Sequence, residues 1–247
     1  MPEIKHSFHV GRMNQDLDER LVPNGEYREA LNIEVSTSEG SNVGSVQTTM
    51  GNTALSSINV SAGSKCIGKI ANEKNDKLYW FISAATPNPE PGELTVNTFT
   101  KDIIAEYDHA TTSVKPVVVD LYRILLPASN INAPASPNQL SLNNTLGIRA
   151  GMTVTGRSSS GRTFVSEVES ITGNTVTLTS NITFGATIEL IFEAERALNF
   201  NQDFLITGIN IIDDLLFWTD NNSEPKRVSI SRNRDVGSVD FDTHTLL

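Results

Sequence analysis

From residue 65 onward the apolar positions come in short runs rich in β-branched and aromatic residues, separated by polar turns. The stretch "KCIGKIANEKNDKLYWFIS" predicts a strand, a turn at "NEKND" and a second strand ending in aromatics. "KDIIAEYDHAT" and "KPVVVDLYR" supply two more, giving four successive strands, the content of one propeller blade. The loop "ATPNPEPGE" between the second and third is proline-rich and exposed. Further on, "FLITGINIIDDLLFWTDNNSEPKRVSI" repeats the first strand pair in outline. Ile67, Gly68, Lys69 and Ile70 match Thr207, Gly208, Ile209 and Asn210, while Leu78, Tyr79 and Trp80 match Leu216, Phe217 and Trp218. A repeated strand pair argues for radial or stacked β architecture.

The span 127–193 has a different flavour. It opens on the linker-like "PASNINAPASPNQ" and continues through "GMTVTG", "RTFVSEVESI", "NTVTLTS" and "TIELIFE", where Thr and Val alternate between tight turns. This pattern predicts a small β-barrel or sandwich domain inserted into a blade, with its two ends close together. Residues 1–60 are polar and turn-rich. Their one helical pattern is "NGEYREALNI", where Asn24 can cap, Glu26 sits in the first turn, and Tyr27, Ala30 and Leu31 share a face. Pro23 and Gly25 keep "DLDERL" from joining it. "STSEGSNVGSVQT" fits an ordered loop and a flexible linker alike. The expected fold is therefore mainly β: a partial β-propeller (61–126 and 194–247), an inserted small β-barrel or sandwich domain (127–193), and an extended, turn-rich N-terminal segment (1–60).

Composition narrows the class. The 247 residues carry 19 basic and 29 acidic side chains, a net charge of -10. An acidic surface repels phosphate, which argues against tight nucleic-acid binding and suits a surface that DNA must pass without sticking. A single cysteine, Cys66, leaves no internal disulfide framework and no cysteine-based zinc site. The opening "MPEIKHSFHVGR" lacks the apolar core of a signal peptide, and no run reaches the ~18 apolar residues of a membrane helix. Assembly in a reducing cytoplasm is expected.

The densest cluster of charge is "MNQDLDERLVPNGEYREALN", which sets Asp16, Asp18, Glu19, Glu26 and Glu29 beside Arg20 and Arg28. A glycosidase needs two carboxylates about 5–10 Å apart in a cleft, one with a raised pKa. Here few apolar neighbours desolvate the acids, and the arginines pull their pKa values down, the wrong direction for a general acid. An ion-paired docking element is the better reading. The EF-hand order is missing from "DLDERLVPNGEY". His6 and His9 lack zincin spacing, and His109 and His244 stand alone, so structural or solvent-facing histidines are expected. No G-x-S-x-G, Walker loop or dinucleotide fingerprint occurs. "GRSSSGR" reads as an exposed hairpin turn, and Trp80 and Trp218 as core. Neither a catalytic group nor a metal or cofactor is expected.

Two stretches carry a family likeness. "LFWTDNNSEPKRVSI" resembles the YWTD-type propeller signature, with Phe217, Trp218, Thr219 and Asp220 in the motif positions. The resemblance implies structural roles: Thr and Asp tie neighbouring strands or blades, and the aromatics fill the space between sheets. The opening "GRMNQDLDERLVPNGEYREALNIEVSTSEGSNVGSVQTTMGNT" resembles the N-terminal segment of tail structural proteins of short-tailed bacteriophages. More loosely it is similar to their nozzle (tail tubular protein B) and to the muzzle proteins of crAss-like phages. The shared pattern "P-x-G-x-x-R-x-x-x-N" falls here on Pro23, Gly25, Arg28 and Asn32.

The likeness implies a virion structural protein without enzymatic activity: a tail nozzle or muzzle subunit in a hexameric ring, docked to a portal, adaptor or neighbouring subunit. Asp16, Asp18, Arg20, Pro23, Gly25, Arg28 and Asn32 would make the docking contacts, and Trp80, Phe217, Trp218, Thr219 and Asp220 the blade motif. Genomic DNA would pass in transit, without sequence-specific binding. Two blade-like units do not close a ring, which needs about four or more, so a longer parent chain or an incomplete propeller is expected. The alternative is a host-surface glycan recognition module, although 127–193 offers only Phe164, Phe184 and Phe192 as aromatic platforms. A tail-associated depolymerase is the more distant rival, for want of an acid pair.

Overall fold

The computed structural model describes residues 10, 12–35, 46–49, 51, 58–132, 136–185, 187–220, 223–237 and 240–245. The chain divides into two compact units, Met1–Ala54 and Leu55–Leu247.

In the first unit, β1 (Ile33–Val35) pairs antiparallel with β2 (Val46–Thr48). The helix expected over "NGEYREALNI" does not form. Asn24 and Gly25 make a turn, with Gly25 at φ 101°, and Tyr27 bridges Met13 in parallel. Asn32 takes φ 55° just before β1. The apolar stripe found no core, since Leu31 is 85% exposed. An unpacked helix of this length is marginal in water, so backbone pairing with Val10, Arg12 and Asn14 prevails. "DERL" folds instead as a single 3-10 turn, Glu19–Leu21, whose Arg20 N–H donates to Asp18. Of the serine- and glycine-rich stretch, residues 36–45 lie outside the described part.

The second unit is built on one ten-stranded sheet. Its strands are β3 (Lys65–Asn72), β4 (Lys77–Ser83), β5 (Thr98–Asp108), β6 (Ser113–Pro127), β7 (Ile131–Asn132), β8 (Gln139–Leu142), β9 (Thr153–Ser158), β10 (Gly161–Thr172), β11 (Thr175–Leu178) and β12 (Glu189–Glu193). The order across the sheet is β3-β4-β5-β6-β12-β9-β10-β11-β8-β7, and every neighbour is antiparallel. β3 to β6 form the expected four-stranded meander. β6 then runs on to Pro127, and its last five residues pair with β12, from Arg123 opposite Glu193 to Pro127 opposite Glu189. The strands that enter and leave 127–193 therefore lie side by side, and one sheet runs through both spans.

β8 to β12 curl with the end of β6 around a core containing Leu121, Leu126, Leu140, Met152, Val154 and Phe192. The bend falls on β10, where the register shifts between Val168 and Ser170 as its partner changes from β9 to β11. The sheet stays open: among the described residues no pairing joins β7 back to β6.

A separate three-stranded sheet follows: β13 (Gly208–Ile212), β14 (Leu215–Thr219) and β15 (Lys226–Ser229). It packs face to face on the first meander. Leu216 and Trp218 meet Ile67, Tyr79 and Phe81, with Leu198 and Phe200 of the connecting loop filling the seam. Helical turns at Ile230–Arg232 and Asn233–Gly237 come next. His244 and Thr245 then lie on the edge of β6 that β12 leaves free. There Thr245 N–H donates to Val119 O at 2.9 Å, Val119 N–H to Thr245 Oγ1 at 2.7 Å, and Leu121 N–H to His244 Nδ1 at 3.1 Å.

Candidate functional site

The residues expected to dock a partner share the loop between Met13 and β1. Asp16, Asp18, Arg20, Pro23, Arg28 and Asn32 are all exposed, whereas Gly25 is buried. The backbone beneath them is tied: Tyr27 N–H donates to Arg12 O at 3.1 Å and Asn14 N–H to Tyr27 O at 2.8 Å. The one carboxylate drawn inward is Glu26, which accepts from Asn14 Nδ2 at 2.8 Å and lies 3.9 Å from Arg12. Arg20 and Arg28 form no ion pair with a described residue. The expected internal pairing of these arginines with Asp16 and Asp18 is thus replaced by outward-facing charges. Between them stand exposed apolar side chains, Leu17, Leu21 (68% exposed) and Leu31.

The blade-motif residues lie in the second unit. Trp218 is buried, edge-on to Phe81 at 5.5 Å and to Phe200 at 6.4 Å. Trp80 points to the opposite side of its sheet and stacks on Tyr107 at 6.1 Å. Phe217 is half-buried and Thr219 exposed. Asp220 is buried and closes its turn: its carboxylate accepts from Ser223 N–H at 2.8 Å and Ser223 Oγ, and from Lys226 Nζ at 3.2 Å. Lys226 also donates to Leu198 O at 2.9 Å, fastening the turn to the loop ahead of β13.

The strongest polar chemistry lies elsewhere, on β5 and β6. Asp102 and Asp120 face each other directly across these strands, and both are fully buried. Like charges so placed repel, and the structure supplies donors unequally. Asp102 accepts from Arg196 Nη2 at 2.5 Å, Phe200 N–H at 3.1 Å and Ala84 N–H at 3.0 Å. Asp120 accepts from Leu198 N–H at 2.8 Å, with the Ala197 N–H also directed at it, and its Oδ1 has no hydrogen-bond partner among the described residues. Burial pushes both carboxyls up; Arg196 opposes this at Asp102, while the charge of Asp102 adds to it at Asp120. Asp102 thus gathers the guanidinium and two backbone donors, and Asp120 backbone donors alone.

A second cluster centres on Glu106, 2% exposed, held by Lys77 at 2.8 Å, Tyr79 Oη at 2.7 Å and Arg234 at 2.9 Å. Burial works against its charge, but these three donors outweigh it and keep the carboxyl below the usual range. Arg234 belongs to the helical turns after β15, so Glu106 pins them to the main sheet. The sequence signal for both clusters was present in "KDIIAEYD" and "VVVDLYR", where a charge interrupts an apolar strand; buried charges are rare unless paired.

His244 is structural. Its Nδ1 accepts the Leu121 N–H and lies 3.9 Å from Asp120 Oδ1. Burial, with Arg149 nearby, depresses its pKa to about 4. The folded chain therefore binds fewer protons than the unfolded chain between pH 6.5 and 4, so the His244 contribution is complete above pH 6.5 and is lost as pH falls through that window. The raised carboxyls work in the opposite sense, adding stability as pH falls. Replacing His244 by Asn should remove this loss, so that the variant's stability relative to the native chain rises as pH falls from 6.5 towards 4. Thermal melting of both proteins across that range checks this.

These carboxylates bind loops together. No protein family matches the sequence, and neither curated proteins nor solved structures contain a match to it.

Proposed function

We propose that the chain is a structural subunit of a tailed-phage virion: a nozzle or muzzle component of the tail, in a ring whose wall lines the route of DNA ejection. The reading rests on the resemblance of the opening segment. The observation that supports it most is the arrangement of that segment, where a hydrogen-bonded backbone turns Asp16, Asp18, Arg20 and Arg28 outward among exposed leucines. Apolar contacts supply affinity on such a surface, and charges set partner and register. The packing of the second meander on the first supplies the body such a wall needs, and the net negative charge suits a wall along which DNA moves without binding.

Labelling purified tails for this chain tests the reading: signal in a ring at the tail supports it, and absence from the virion ends it. Arg20→Ala with Arg28→Ala should leave the melting temperature of the isolated chain within about 2 °C, because exposed, unpaired arginines contribute little to folding. Its incorporation into tails should fall at least about tenfold. Normal incorporation would remove the docking role.

Glycan recognition remains the alternative, and one feature favours it. A groove of about 420 Å³ is lined by Thr86, Arg196, Asn199, Asn201 and Gln202, a set suited to sugar hydroxyls. Retention of the chain on a glycan array, lost in Asn199→Ala with Asn201→Ala, would turn the assignment that way.

A further inference from the structure

The two meanders repeat in register as well as in sequence. In the first, the cross-strand pairs are Gly68 with Phe81, Lys69 with Trp80, Ile70 with Tyr79 and Ala71 with Leu78. In the second they are Gly208 with Thr219, Ile209 with Trp218, Asn210 with Phe217 and Ile211 with Leu216. Side chains alternate across a strand, so each sheet has a front bearing the glycine and a back bearing the tryptophan. Inside the chain, the back of the second sheet (Ile209, Ile211, Leu216, Trp218) covers the front of the first (Ile70, Tyr79, Phe81).

Gly68 shows why that front carries a glycine. A Cβ there would stand 2.9 Å from Ile206 O and 3.0 Å from Ile206 Cβ, because the segment leading into β13 crosses directly over it. Ile206 N–H donates to Ile67 O at 2.8 Å at the same crossing. Gly208 occupies the matching place on the second sheet. Among the described residues, a Cβ there would meet only Thr219, its own cross-strand neighbour. The front of the second sheet is otherwise largely open: Asn210 and Thr219 are exposed, Ile212 is 54% exposed, and Phe217 is half-buried. The back of the first sheet is its counterpart. Lys69 and Ala71 are exposed, and Leu78 and Trp80 half-exposed, at the register positions of Ile209, Ile211, Leu216 and Trp218.

We infer that the front of the second sheet receives the back of the first sheet of a second copy of this chain, head to tail, by the same docking that joins the two sheets within one chain. The occupant is a second copy because, among the described residues, the first sheet holds the one other back face with tryptophan in this register, and that face is partly open. A heterologous contact of this kind leaves a front and a back free at the ends of every pair, so it propagates into a ring or a filament. The inference deepens the assembly role proposed above and rests on it for the presence of further copies.

The matching of positions also names a probe. Cys66, the single cysteine, is free and exposed, and it precedes Gly68 as Ile206 precedes Gly208. In the head-to-tail pair, Cys66 of one copy crosses Gly208 of the next. The full chain carrying Gly208→Cys, oxidised and run without reductant, should give a ladder of covalent oligomers that Cys66→Ser abolishes. Gly68→Cys with Ile206→Cys, in a Cys66→Ser background, should close within one chain and serves as the geometric control. Cross-links that persist without Cys66 would mean front-to-front pairing and overturn the inference.

A pair of variants at exposed positions protects the test from misfolding. Asn210→Glu blocks the front and Ala71→Glu the back. Each alone should weaken self-association at least about tenfold, since a charge is buried without a partner, while a one-to-one mixture should form mixed dimers and stop there. Native-like oligomers from either variant alone would place the contact on other faces, leaving the assembly role standing. A native chain that stays monomeric at every soluble concentration would remove this inference together with self-assembly.

Discussion

Replacing Asp102 by Ala is expected to lower the unfolding free energy by about 3 kcal/mol, the scale for breaking a buried charged pair by removing one partner. Three donors lose their acceptor at once: the Arg196 guanidinium and the Ala84 and Phe200 N–H groups. The latter two belong to buried residues, and each abandoned buried donor costs about 1–3 kcal/mol. Arg196 is 28% exposed at its side chain and recovers part of its hydration. Asp102→Asn should cost less, because the amide oxygen keeps one side of the arrangement while its NH₂ faces donors on the other. Urea titration of the three proteins checks the order native, Asn, Ala. The loop from 196 to 200 should also gain hydrogen exchange in the Ala variant well before the core of β8 to β12 does. Equal stability of native and Ala proteins would mean that Asp102 is held for a reason other than loop fixation.

Trp218→Ala should cost about 3–5 kcal/mol, the range for removing a large aromatic from a packed interior. Trp218 is 4% exposed and fills the seam between the two sheets, against Phe81 and Phe200. Neighbouring strands are held by their ladders and collapse poorly into the void, so the loss should fall at the upper end. For a chain of this size that corresponds to a fall in Tm of roughly 6–20 °C. Trp80→Ala, at the matching register but half-exposed, should cost clearly less. Calorimetry of both variants separates a core tryptophan from one that faces outward.

Much of the β architecture was legible in the sequence because alternation and turn residues act locally. "NEKND" became a turn, "RTFVSEVESI" a long bent strand, and the repeated pair kept its register through Gly68 and Gly208. The helix assigned to "NGEYREALNI" failed because an apolar stripe predicts a helix only where a core waits to receive it. Leu31 met none, and Gly25 and Tyr27 followed backbone pairing with a segment a dozen residues earlier. The buried acids are hard to read from the sequence for the opposite reason. Charge crowds at 16–29, while Asp102, Glu106 and Asp120 stand singly among apolar neighbours. Their partners, Arg196 and Arg234, are 94 and 128 positions away, a distance that no local pattern spans.

The cover on the free edge of β6 has a consequence for how the molecule is made. Val119 finds its partner in Thr245, 126 positions further along the chain. During synthesis that rail of a long apolar strand must wait, with its amides bare, until the segment carrying Thr245 has left the ribosome. An open rail of this kind invites foreign strands, and distant closure is slow because the intervening loop must first be brought together. Ribosome-bound chains stalled before His244 and Thr245 emerge should therefore be the sticky species, seeking a chaperone, and emergence of those residues should end the hazard.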